Sequence, residues 1–177
     1  MNNITSTAQT ADTGTNLRNF MANRGAIIIK ETKPIGTVTG DYGVSLEVET
    51  IVLQVIRGVK KDTAFGALLT VKKSDGTEEK VNLDFDELAE LINALSVIRH
   101  TADEIGLTQR DYTEVFYATK ENAKFGFFQA NGSQTGFIDI GYRGNLFQPV
   151  NANVNIEHLL RNAVAHLRSK GAEIVNE

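Results

Sequence analysis

Val44-Ser45-Leu46-Glu47-Val48-Glu49, continuing as Thr50-Ile51-Val52-Leu53-Gln54-Val55-Ile56, decides how this chain folds. Val44, Leu46 and Val48 fall on one side of an extended backbone. Ser45, Glu47 and Glu49 fall on the other, the period-two pattern of a strand with one wet face. From Ile51 the apolar side chains occupy both faces, which places that half inside a sheet with neighbours above and below.

Downstream, strands over 63–72 and 77–83 flank Ser74-Asp75-Gly76, a hairpin signal with Asp-Gly at the turn. Asp84 then opens a helix. Its carboxylate suits an N-cap, and Glu87 three residues on completes a capping box. Leu88, Leu91, Ile92, Leu95 and Ile98 form a single buried stripe.

The plan recurs. Strands are expected over 112–119, 124–129 and 135–142, with Asn131-Gly132 at the second turn. Asn155 is the expected cap of a helix with the stripe Ile156, Leu159, Leu160, Ala163, Val164 and Leu167, ending before Gly171. Phe65-Gly66 and Phe125-Gly126 occupy equivalent places in this scheme, as do Asp84 and Asn155. Residues 141–154 are then an insertion in the second unit. Unit one covers about 44–100 and unit two about 111–170.

A helix with one apolar stripe must pack on a sheet, and neither unit buries enough surface to be comfortable alone. The fold class is therefore α+β: an antiparallel meander sheet or partly rolled barrel covered by two helices, built by tandem duplication of a β-meander-plus-helix unit. Turn-linked groups of strands argue against a parallel, doubly wound sheet.

Upstream, residues 1–16 are polar, with Asp12 the only charged side chain, and read as a disordered tail ahead of a single domain over 17–177. Leu17, Phe20 and Met21 share a face of a short helix that Thr15 or Asn16 can cap and Gly25 can end. Ile27-Ile28-Ile29 begins a strand, and Pro34, Gly36, Gly40 and Gly43 keep any strands beyond it short or bent. The start lacks the basic and apolar regions of a signal peptide. Both a cytoplasmic protein and an exported one whose signal has been removed fit this beginning. Asn3-Ile4-Thr5 and Asn131-Gly132-Ser133 match the glycosylation pattern, which matters only in a eukaryotic secretory setting.

Composition narrows the function classes. The chain has 177 residues, 41% hydrophobic and 23% charged, and no apolar run long enough for a membrane-spanning helix. Without cysteine there is no disulfide framework, Cys-ligated metal or thiol nucleophile. A net charge of −4 gives no electrostatic reason to expect nucleic acid as a partner. Phosphate-binding glycine loops, H-E-x-x-H, the EF-hand loop and G-x-S-x-G are missing, so no residue is assigned a catalytic role and no metal or cofactor is implied.

Weaker constellations have plain structural readings. His100, Asp103 and Glu104 would share a face of an extended first helix, a spacing that could suit a divalent metal or an acid–base pair; a polar helix end, with Arg99 and His100 complementing the dipole, is the preferred reading. Asp86 and Glu90 are four apart, but capping and dipole complementarity account for the acidic helix start. His158 and His166 share a broad sector of the second helix. Asp139 is buried if the side of Phe137 is the core and wet if the side of Ile138 is; the second reading is preferred. Tyr112, Phe116, Tyr117, Phe125, Phe127, Phe128 and Phe137 crowd the second meander. Such a sheet resembles a base-stacking surface, but its few lysines and arginines favour a core role.

The insertion 141–154 is the candidate functional surface, with Tyr142, Arg143, Leu146, Phe147 and Gln148 as binding residues. The expected function is a non-catalytic binding or assembly module that engages a protein partner through this aromatic and arginine loop or through a sheet edge. The alternatives are a binder of a small apolar or amphipathic ligand between sheet and helices, and a carboxylate- or metal-dependent hydrolase. A homodimer through an uncovered strand edge is compatible with an antiparallel sheet.

Overall fold

Strand β1 (Ile27–Thr39) pairs along its length with β2 (Ser45–Arg57), the strand that carries the diagnostic alternation. The structure is a computed structural model and describes residues 14–106, 108 and 111–173. Strands β3 (Lys60–Lys72) and β4 (Glu78–Asp84) complete an antiparallel sheet in the order β1-β2-β3-β4, and α2 (Phe85–Ile105) comes next. Strands β5 (Tyr112–Ala118), β6 (Lys124–Ala130), β7 (Ser133–Ile140) and β8 (Gly144–Gln148) form a second antiparallel sheet in the order β5-β6-β7-β8, succeeded by α3 (Asn153–Ser169). The short helix α1 (Asn16–Met21) precedes everything, capped by the Thr15 hydroxyl.

The molecule is α+β, and a meander with its helix is used twice; the sheets do not close into a barrel. The match between the units is, however, displaced by one strand from the sequence reading. Unit one gains β1 at its front. Unit two gains β8, which lies inside the segment 141–154 that had looked like an insertion. Phe65-Gly66 therefore stands on the third strand of its sheet and Phe125-Gly126 on the second. The reason is local. A register shift between Pro34 and Gly36 interrupts the pattern of β1, and β8 has only 5 residues, too few to declare a period.

β2 is apolar on both faces because both faces are covered. Leu46, Val48 and Val52 join Leu69, Val71 and Leu83 in the main core, while Ile51, Leu53 and Ala64 lie on the far side under Leu17 and Phe20 of α1. The glycine at 66 is the seat of α1: a Cβ there would run into Leu17 and the Leu83 carbonyl. The expected polar tail lies outside the described residues over 1–13, as does the Asn3 sequon, but Thr15 and Leu17 are fully buried.

The helices tie the two units together. α3 comes after the second sheet yet packs on β1 and β2 of the first, with Leu159 against the open position at Gly36. α2 comes after the first sheet and packs on β5 and β6 of the second as well as on β3, β4 and α3. α3 thus covers the first sheet and α2 lies between the two sheets, so the main core contains residues of both sheets and both helices. α3 begins at Asn153 rather than after an Asn155 cap. The 3-10 turn Val150–Ala152 feeds straight into it, and no side chain caps it.

A polar hub locks the two units together. Asp84 stands at the N-cap of α2, and Glu87 Oε2 accepts the Asp84 amide at 3.1 Å, the expected capping box. The Asp84 carboxylate also accepts the amides of Asn16 at 2.8 Å and Leu17 at 3.1 Å. From the second unit, the Lys120 amide donates to Glu87 Oε1 at 2.7 Å and Lys120 Nζ reaches Asp84 at 3.3 Å. Burial pushes the Glu87 carboxyl above its ordinary value against the pull of these amide donors. Glu121 accepts from Thr15 at 2.9 Å and from the Asn82 amide at 3.0 Å, tying the same three segments again.

Candidate functional site

Strand alternation sorts the aromatic residues of the second unit onto two faces. Val115, Tyr117, Phe125, Phe127, Ile138, Ile140 and Leu146 point toward the helices and form core. Tyr112, Glu114, Phe116, Lys124, Gly126, Phe128, Phe137, Asp139, Asn145 and Phe147 alternate with them and occupy the outer face. The register lines up Phe116, Gly126, Phe137 and Phe147 as one row across four strands. Only hydrogen fits at Gly126, where a Cβ would strike the Val115 carbonyl and Phe116.

This outer face carries a connected set of rings. Tyr112 stacks on Phe128 with centroids 6.2 Å apart at 22°, and Phe147 meets Phe128 edge-on at 6.4 Å and 87°. Phe137 leans on the same Phe128 ring at 6.4 Å. Phe116 is 45% exposed and Tyr112 60%, large values for aromatic rings on a sheet whose other face already supplies the core. Lys124 Nζ lies over the Phe116 ring, 4.8 Å from its centroid. Glu114 accepts from the Tyr112 hydroxyl at 3.1 Å, and desolvation together with this bond holds the Tyr112 phenol above its ordinary value.

The five expected binding residues separate. Tyr142, 91% exposed, and Arg143 stand in the β7–β8 turn, next to the row that contains Asp139. Phe147 belongs to the aromatic face. Leu146 has no exposure and lies in the main core, and Gln148 is also buried, its Nε2 donating to Asn153 Oδ1 at 2.6 Å. The five therefore line no common loop, because β8 turns alternate residues to opposite faces.

Ile138 and Ile140 point inward, so Asp139 lies on the outer face, as preferred from the sequence. The expectation that the second meander's aromatics are core holds for Phe125, Phe127 and the buried Phe137, holds in part for Tyr117 and Phe128, and fails for Phe116 and Tyr112. Rings at both odd and even positions had concealed the division. The missing signal lies at Asp139: once Ile138 is inward, Phe137 is outward, and the cross-strand register carries Phe116 and Phe147 with it.

The remaining acidic and histidine clusters are engaged structurally. His100 Nε2 pairs with Glu104 at 3.3 Å on the exposed side of α2, and Asp103 is exposed beside them. Asp86 pairs with Lys120 at 3.0 Å, whereas Glu90 accepts from the Tyr117 hydroxyl at 3.0 Å. Burial and then Glu90 push that phenol up to about 12. His158 is exposed. Desolvation first, then nearby Lys33 and Lys170, hold His166 below its ordinary value. Among the described residues no group of 3 or more His, Asp or Glu side chains is placed to hold a metal ion, and no helix is long and apolar enough to cross a membrane. No protein-family model matches the chain, and no curated protein shows significant similarity to it.

Proposed function

We propose that this protein is a non-catalytic binding module that engages a protein partner through the outer face of its second sheet. The observation that carries the reading is the pair of exposed rings Tyr112 and Phe116, continued by half-buried Phe128 and Phe147 around a buried Phe137, on a sheet whose inner face already supplies core. Rigid rings on paired strands lose little side-chain entropy when a partner covers them, and Tyr142 and Arg143 supply amphipathic groups at the margin. The space between sheets and helices is filled by Phe125, Phe127, Leu146 and Leu160, which favours the outer surface over an interior ligand pocket.

A photo-crosslinking amino acid at position 142 should capture a protein partner from cell extract, and the same group at the exposed Val59, in the β2–β3 turn of the other sheet, should not. Phe116→Ser should abolish capture without lowering Tm. Equal capture at both positions, or capture indifferent to Phe116→Ser, would overturn the proposal.

A further inference from the structure

Within the outer face, Tyr112, Phe128, Phe137 and Phe147 combine with the carboxylates of Glu114 and Asp139 and the amide of Asn145 to line an open depression of about 220 Å³. Every charged group in that lining is negative. The ring faces add the negative lobes of their quadrupoles, so both components attract a cation. The one ammonium on this face does not fill the depression. Lys124 is the direct cross-strand partner of Asp139, yet its Nζ lies over Phe116. No ion pair or hydrogen bond between described residues ends on the Asp139 carboxylate.

We infer that this depression receives a lysine side chain from the protein partner. The inference rests on the reading of the outer face as the contact surface and specifies its anchor. Glu114 and Asp139 stand on different strands, β5 and β7, with β6 between them. The register sets Glu114 level with Phe128 and Asp139 level with Lys124, four residues along the strands, so one ammonium meets one acid, Asp139, and the rings between the two acids take its stem. The butyl stem of the lysine lies against the Phe128 and Phe147 rings while its head reaches Asp139. The arrangement that Lys124 makes with Phe116 shows the same chemistry already at work on the neighbouring ring. A phosphate backbone would meet Glu114 and Asp139 as like charges.

The test is an NMR titration of the full chain with a short acetylated peptide bearing one central lysine, its norleucine counterpart, and an oligothymidylate as the nucleic-acid probe. The lysine peptide should shift the aromatic resonances of Tyr112, Phe128, Phe137 and Phe147, and the norleucine peptide should not. Asp139→Asn should weaken binding about threefold, the scale of an exposed ion pair, Glu114→Gln should weaken it less, and high salt should weaken it further. Unchanged resonances elsewhere establish that both variants are folded. Equal binding of the norleucine peptide would overturn the inference and leave the contact surface standing. So would silence of both peptides while the crosslinker at 142 still captures its partner through this face. Shifts with oligothymidylate and none with the lysine peptide would overturn the inference and the protein-binding reading together.

Discussion

The carboxylate of Asp84 accepts the backbone amide of Leu17 at 3.1 Å, joining the start of α2 to the start of α1 across 67 positions of chain. The same carboxylate takes the Asn16 amide and the Lys120 ammonium, so one buried acid serves two helix starts and a turn of the other unit. Two first-turn amides of α1 would otherwise be unsatisfied beside a buried Leu17.

Asp84→Ala should therefore destabilise the protein by about 3 kcal/mol, more than loss of a surface cap. Asp84→Asn keeps one acceptor oxygen and should lose about half as much. Equilibrium urea denaturation measures both, and hydrogen exchange at the Leu17 amide should accelerate in step. A loss below about 1 kcal/mol for Asp84→Ala would show that α1 is held by its apolar contacts alone.

Glu157 links the two long helices, bridging Arg99 of α2 and Arg161 of its own helix, the latter at 2.9 Å. Burial, the largest influence, pushes this carboxyl up, but hydrogen bonds from Arg161 and Arg99 together outweigh it and hold the group below its ordinary 4.5. A depressed folded pKa contributes stability that is complete above the unfolded value and is lost as pH falls through the folded one. Glu157→Gln should cost about 1 kcal/mol at neutral pH, and the gap from wild type should close as pH drops below that range. Urea midpoints across an acid series read this directly; a gap independent of pH would assign the loss to packing.

The strands from 44 to 83 and the stripe of α2 were legible because each has a strong period and a clear stop signal in Asp75-Gly76 or Asp84. The crossing of α3 to the first sheet was not, since an apolar stripe names a need for cover without naming the sheet that supplies it. The stripe residue Leu159 fits the space left by Gly36, a pairing that only the assembled register reveals. β8 escaped for a different reason: Leu146 and Phe147 are adjacent, so its apolar side chains break the alternation that its burial keeps. The aromatic face was half legible, through the outward placement of Asp139.

The two edge strands of the second sheet thereby offer a contrast between core and surface. Leu146→Ala removes a fully buried side chain and should cost about 3 kcal/mol. Phe116→Ser, at a ring 45% exposed, should stay within about 0.5 kcal/mol of wild type while eliminating partner capture. Thermal denaturation beside crosslinking yield distinguishes them. A large stability loss for Phe116→Ser would make the outer rings a structural cluster and remove the basis for a contact surface.

Gln148 and Asn153 form a buried amide pair at the junction of β8 and α3, joined by one hydrogen bond of 2.6 Å. Gln148 Oε1 and Asn153 Nδ2 have no partner among the described residues, so the pair is only partly satisfied. Gln148→Leu leaves the whole Asn153 amide buried without its donor and should cost about 2 kcal/mol. The double change Gln148→Leu with Asn153→Leu removes both polar groups and should recover most of that loss, giving a favourable coupling in a double-mutant cycle. Additive losses would mean that each amide is supported separately, and the junction would then owe its geometry to the Val150–Ala152 turn rather than to the pair.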